Sequence, residues 1–440
     1  MSENENDNKT RRQFLKASST AVAAGALVMG AARNAHAAGS DVLRIGLIGA
    51  GGRGTGAAIQ ALNTITGDNP LQLIAVGDVF EDNAQSAARN LRSKHPDHVD
   101  LPEERVFSGF DAYRKVLATE CDVVILATPP GFRPIHFKAA VDAGKHVFME
   151  KPVATDAAGV RNVVLASAVA RQKNLAVAVG LQRRHEDRYR ETIRRLQDGA
   201  IGDINLARVY WNGNTPWVRP RKPEQSEMEY QMRNWYFFNW LCGDHIVEQH
   251  IHNLDVINWL KDGFPVKANG MGGRLLRTGK DHGEIFDHHF IEYTYADGSK
   301  MFSQCRHMPG CWNSVSEHVQ GSKGNANIGG ASIQGLDGAK IWQYGRGGAG
   351  GHQREHFDLF ADLRAGKIPN EGVYGAYSTM TSIMGRMCTY SGKELSWDEA
   401  LNSSVELGVR DFQSFDDKPP ILPDEHGHYP IAQPGLTKVV

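Results

Sequence analysis

The chain has 440 residues, of which 41% are hydrophobic, with 49 Lys and Arg set against 50 Asp and Glu. That length has room for two domains with separate cores. The balanced charge lacks the basic footprint of nucleic-acid binding and leaves small polar molecules as the partners to expect.

Arg11-Arg12 followed by Phe14-Leu15 precedes a mild Ala/Gly/Val run from Ala21 to Met29, and Ala35-His36-Ala37 has the small residues of a cleavage site. The run is too short to span a bilayer stably. Residues 1–38 are expected to be a twin-arginine export signal that directs a folded protein to a periplasmic or other extracytoplasmic space. Five cysteines are an odd number without metal-ligand spacing, which argues against a disulfide framework. A single Cys305–Cys311 bridge stays open in an oxidising compartment.

Leu43 to Ile48 is an apolar run suited to a buried parallel strand, and Gly49-Ala50-Gly51-Gly52-Arg53-Gly54 follows it directly, ahead of a helical Ala57 to Leu62. Between strand and helix, these glycines permit a tight turn and close approach to a pyrophosphate. A second apolar strand from Leu71 ends in Asp78, placed to bind the adenosine ribose diol; a turn or cap aspartate is the alternative. Asp78 would repel a 2′-phosphate, so NAD is expected over NADP, although nearby Arg53 weakens the preference. Cys121 to Ala127 and His146 to Met149 complete the strand pattern. They lead into Thr128-Pro129-Pro130 and Glu150-Lys151-Pro152 at the strand ends where α/β sheets bind ligands.

The second half opens with Gln182-Arg183-Arg184-His185 at the start of a charged helix. A segment from Asn212 to Asn234 then interleaves Arg219, Arg221 and Arg233 with aromatics, continuing into Trp235, Tyr236, Phe237, Phe238 and Trp240. Such a mixture suits a carbohydrate pocket, and equally an oligomer contact or local core. From Cys242 to Asp255 three histidines and three carboxylates share a stretch with apolar spacing near 3.6. This predicts one amphipathic helix with Glu248 and His252 at i,i+4 on the same face. A carboxylate beside an imidazole is the arrangement of a tuned general base. Glu248, His250, His282 and Asp287-His288-His289 could hold Zn²⁺ or Mn²⁺, but histidines at the mouth of a sheet more often bind substrate, and no metal is expected.

Glu150-Lys151-Pro152 behind a Rossmann half, the preceding Thr-Pro-Pro and the later His252-Asn253-Leu254-Asp255 together resemble the glucose-fructose oxidoreductase, inositol dehydrogenase and MocA family over Arg44 to about Asn402. The resemblance implies an α/β fold: a Rossmann dinucleotide-binding domain at 39–155, and an α+β domain with a large open, mostly antiparallel sheet at 156–405. A tail occupies 406–440. It implies NAD held by Gly49, Gly51, Gly52, Arg53, Gly54, Asp78, Thr128, Pro129, Glu150 and Lys151, with Pro152 in a cis peptide. Lys151 would polarise the substrate hydroxyl, and His252, oriented by Glu248, would take its proton. Arg184, His250, Trp235, Tyr236 and His288 would contact substrate. Glu248 and His250 stand where the family has Asp and Gly, which puts the substrate in doubt more than the fold. The expected function is oxidoreduction of a sugar by a tightly bound, recycled cofactor in a dimer or tetramer. The alternatives are an NAD-dependent glycoside hydrolase of the α-N-acetylgalactosaminidase kind, using His250 as an extra acid or base, and a non-catalytic sugar-binding protein.

Overall fold

Every residue of strand β1 (Leu43–Ile48) except Arg44 is buried, because parallel neighbours hydrogen-bond it on both edges and helices cover both faces. The computed structural model describes residues 42–67, 70–345 and 347–440, so the expected export signal lies outside the described residues. Strands β2 (Leu71–Asp78), β3 (Val106–Ser108), β4 (Val123–Leu126), β5 (His146–Met149) and β6 (Val177–Val179) complete a parallel sheet of order β3-β2-β1-β4-β5-β6. The order reverses at β1 and β4, which opens a crevice beyond their carboxyl ends. Helix α1 (Gly52–Leu62) begins there, and its Ala57, Ala58, Ala61 and Leu62 are buried against the sheet.

The second sheet adds the short strands β12 (Gly324–Asn327), β13 (Ser332–Gly335), β14 (Lys340–Gln343) and β15 (Leu395–Ser396) and has the order β14-β13-β12-β11-β7-β10-β9-β8-β15. Its long members are β7 (Ile204–Gly213), β8 (Lys267–Gly273), β9 (His288–Thr294), β10 (Lys300–His307) and β11 (Ser314–Gly321). Pairing is antiparallel except between β7 and β10, in agreement with the open, mostly antiparallel sheet expected. Alternation decides its faces: His289, Ile291 and Tyr293 of β9 point inward while His288, Phe290 and Glu292 point away. A helix at Gly372–Ser391 crosses the inner face. Its Gly385 lets it settle against Tyr293, whose hydroxyl would lie 2.1 Å from a Cβ there and donates to the Thr381 carbonyl at 3.1 Å.

One local expectation changes. The stretch from Asp244 onward is not one helix. It forms a single turn, α2 (His245–Glu248), and then α3 (Ile251–Leu260). The His250 N–H reaches back five residues to the His245 carbonyl (3.2 Å), and this extra residue in the turn rotates His252 relative to Glu248. All five thiols are free: Cys305 points to the buried face of β10 and Cys311 sits on an exposed turn. The tail after Phe415 is laced to the aromatic insertion, where the Phe415 carbonyl accepts from Ser226 Oγ (2.6 Å) and that of Ile421 from Gln231 Nε2 (2.8 Å). No helix among the described residues is long and apolar enough to cross a membrane.

Candidate functional site

The glycine turn is shaped by two close approaches. Gly49 has φ +91°, and a Cβ there would meet the Thr128 backbone nitrogen at 2.4 Å. A Cβ on Gly54 would strike the Gly49 carbonyl oxygen at 1.8 Å. Gly51 and Gly52, in contrast, have nothing within 4 Å of an added Cβ and face open space. That space belongs to a cavity of about 490 Å³ running past Asp78, Thr128 and Pro129. Asp78 accepts the Ala50 N–H at 2.7 Å on Oδ2 and the Phe80 N–H at 2.9 Å on Oδ1, so it braces the turn while its carboxylate lines the cavity. An open cradle of backbone donors with a carboxylate at the second strand fits a dinucleotide.

Arg53 lines the same cavity, but its guanidinium is already engaged. It donates to Glu150, to Gln60 Oε1 (2.8 Å) and to Glu355 Oε1 (3.1 Å) of helix α4 (Gly351–Arg364). It therefore leaves NADP no free cation for a 2′-phosphate at this position, and the weakening of the NAD preference expected from Arg53 falls away. Glu355 is buried, and desolvation with the adjacent Glu150 charge pushes its carboxyl well above the usual range, against the pull of Arg53. Sequence reading did not find Glu355, which lies 302 positions from Arg53 and carries no local signal.

Lys151, immediately beyond β5 and followed by a cis Lys151–Pro152 peptide, joins the two halves of the site. Its Nζ donates to Glu248 Oε1 at 2.9 Å and to the Glu248 carbonyl, with both side chains largely buried. Glu248 thus pairs with Lys151 and does not orient His252, a correction that follows from the extra residue in the turn between α2 and α3. His252 Nδ1 is buried without a hydrogen-bond partner, and the ring stacks on Trp211 at 6.0 Å. Burial first, and the Lys151 and Arg183 charges second, drive its pKa well below the ordinary 6.5, so the imidazole is neutral and can accept a proton. Tyr236 is buried beside Glu248. Desolvation and then that carboxylate raise its phenol well above 10, so it remains a neutral donor.

The spacing from His252 to Asp255 has a physical basis here. Asp255 takes a two-pronged bond from Arg184, Nη2 to Oδ1 at 2.7 Å and Nε to Oδ2 at 2.9 Å, while Asn253 Nδ2 donates to Glu317 Oε1 at 2.6 Å beside Arg183. These bonds fix the rotation of α3 and hence of His252. They also consume both arginines, so Arg184 is a positioning residue and not the substrate contact expected.

Two further expected contacts are elsewhere. His250 is fully buried with Nε2 2.8 Å from Ser303 Oγ and does not line the glycine-turn cavity, and burial pushes its pKa well below 6.5. His288 lies on the outward face of β9, with Nδ1 2.8 Å from Asp287 Oδ1. Trp235, expected at the substrate, lines the glycine-turn cavity that fits a dinucleotide. The residues weighed as a metal set do not gather; among the described residues Asp244, His245 and His289 do, with candidate ligand atoms within 4.8 Å of one another. The Asp244 carboxylate there already accepts from the Tyr390 hydroxyl (2.6 Å), the Phe286 N–H (2.9 Å) and the backbone of His245. It caps α2 and braces the sheet.

Residues 43–181 match the family described as GFO_IDH_MocA, an oxidoreductase family with an NAD-binding Rossmann fold. Inositol 2-dehydrogenase 3 of Saccharopolyspora erythraea is 27% identical over 260 residues, which cover 59% of this chain and 65% of that protein. Inositol 2-dehydrogenase 4 of the same organism is 32% identical over 160 residues, 36% of this chain and 42% of that protein. The aligned segments thus span under two thirds of these relatives' length. Two solved structures share the fold over almost their whole length. Levoglucosan dehydrogenase, in complex with NADH and levoglucosan, superposes with a TM-score of 0.63 at 16% identity, covering 81% of this chain and 99% of that one. Aldose-aldose oxidoreductase from Caulobacter crescentus, complexed with glycerol, gives 0.62 at 17%, covering 80% and 99%.

Proposed function

We propose that this chain, whose residues 43–181 match the NAD-binding Rossmann fold of that oxidoreductase family, oxidises a secondary alcohol of a sugar or polyol. The observation that carries the reading is His252, whose buried Nδ1 has no hydrogen-bond partner and whose ring feels the charge of Lys151 in the Lys151–Glu248 ion pair. Bound at that turn, NAD⁺ supplies the hydride acceptor. Lys151 Nζ polarises the substrate hydroxyl and lowers its effective pKa, while Glu248 fixes the ammonium in place. The His252 imidazole takes the hydroxyl proton as the carbon loses hydride. Inositol and levoglucosan, named in the relatives, are polyhydroxylated rings and set the substrate class to try first.

The proposal includes export through the twin-arginine segment, with the cofactor retained and recycled between an oxidised and a reduced sugar. An exported enzyme has no nicotinamide pool to draw on, which is the reason for including retention. Assembly into a dimer or tetramer through the outer sheet face belongs to the same proposal; Met271, Phe290 and Phe302 present apolar surface there. The hydrolase reading loses its motive, since His250 is buried against Ser303. The test is to incubate purified protein with NAD⁺ and a panel of inositols, anhydrosugars and aldoses, and to follow nicotinamide reduction. Reduction by at least one member, abolished by Lys151→Met and His252→Ala, is expected; no reduction across the panel counts against the proposal.

A further inference from the structure

The dinucleotide groove is not walled by the Rossmann half alone. Trp217, Arg219 and Arg233 enter it from the aromatic insertion, and Arg410, Asp411 and Phe412 from the C-terminal tail. Each segment is tied down beside the groove. Arg233 forks onto Asp82 at 2.8 and 2.9 Å and lies 3.7 Å over the Phe80 ring. In the tail, Asp411 pairs with Arg114 and Phe412 packs on Trp240 at 5.6 Å and on Phe132 at 6.5 Å. Three residues further, Phe415 stacks on Phe80 at 5.3 Å.

The arginines facing this groove differ in how their charge is spent. Arg53 and Arg233 are neutralised by carboxylates. Among the described residues Arg219 and Arg410 form no ion pair within 4 Å; Arg410 Nη2 makes one long contact, 3.5 Å to the Lys418 carbonyl, and its charge is felt by Asp417. Each instead has its guanidinium carbon over an aromatic ring, Arg219 at 5.1 Å from the Trp217 centroid and Arg410 at 5.4 Å from that of Phe412. A guanidinium held over a ring keeps N–H groups at its rim that can turn to an anion, and a 3.5 Å contact to a carbonyl is weak enough to yield to one. A dinucleotide brings two phosphate charges to a groove whose glycine turn supplies only backbone donors.

We propose that Arg219 and Arg410 clamp the phosphates of the bound dinucleotide, so that the insertion and tail together hold it as a resident group. This rests on the reading of the groove as the NAD site. The clamp closes the cofactor end of the site and leaves the Lys151–His252 end to the substrate.

The test compares wild type with Arg219→Met, Arg410→Met and the double variant, each loaded with NAD and followed for its release by dialysis and by displacement. The double variant should release NAD at least about tenfold faster, the loss of two charge-assisted contacts, with Lys at both positions restoring part of the retention. Its affinity for ADP-ribose should fall while that for adenosine stays, and the salt dependence of release should flatten. Release and salt dependence equal to wild type would overturn the clamp alone. Equal losses for adenosine and ADP-ribose would also overturn it, by showing that the arginines only shape the cavity. A wild type that binds no dinucleotide would remove the NAD reading itself. Both side chains are exposed, so the substitutions leave the core intact.

Discussion

Replacing Arg53 by Gln removes the cation that two carboxylates share. Its side chain is 34% exposed, whereas those of Glu150 and Glu355 are 8% and 1% exposed. Breaking a fully buried pair from one side costs roughly 3–5 kcal/mol, and partial exposure of the guanidinium screens this to about 2–3 kcal/mol near neutral pH. The penalty must depend on pH. Glu355 is already raised above its ordinary 4.5 by burial and by Glu150, and Arg53 is what opposes that rise. Without Arg53 the carboxyl rises further. A carboxyl raised on folding stabilises fully below its unfolded value, and this stability is lost as pH rises through the folded value. The deficit of Arg53→Gln is therefore largest above neutrality and shrinks toward about pH 5. Urea unfolding of both proteins across that range reads it directly. A deficit equal at both ends would falsify the reasoning and reduce the bridge to a surface contact.

His252→Ala should lower turnover by about 10²–10⁴-fold, the range of a lost general base, with NAD affinity unchanged by fluorescence titration. Because burial and Lys151 hold the His252 pKa well below 6.5, kcat should show no ascending limb through that value. A limb centred there in wild type and absent from His252→Gln would contradict the burial argument. Arg184→Met leaves Asp255 buried without its partner and should cost about 3–5 kcal/mol in urea unfolding. If it instead raised KM with stability intact, Arg184 would be a substrate contact after all.

The Rossmann half was legible because its signals are local. An apolar strand, a glycine turn and an alanine-faced helix lie within twenty residues of one another, and Asp78 closes the next strand. Lys151 and His252 came from the resemblance, and the structure brings the Lys151 charge close enough to act on the His252 ring. What failed was finer geometry. A periodicity near 3.6 cannot register one extra residue in the turn at Gln249–His250, and that residue decides whether Glu248 meets His252 or Lys151. Arg183 and Arg184 read as free charge because their partners, Glu317 and Asp255, are 134 and 71 positions away. Neither periodicity nor spacing links Arg410 to a turn at Gly49, which only the folded tail brings to the same groove.

The central claim is that a secondary carbinol of a sugar or polyol gives its hydride to nicotinamide at the Lys151–His252 site. The direct measurement uses a ring polyol carrying deuterium on its carbinol carbons, mixed with NAD-loaded enzyme in one turnover, with the cofactor then extracted for mass spectrometry. The account predicts one deuterium in the reduced nicotinamide from wild type and none from His252→Ala or Lys151→Met. Reduced cofactor without deuterium, or deuterium transferred equally by all three proteins, would contradict it.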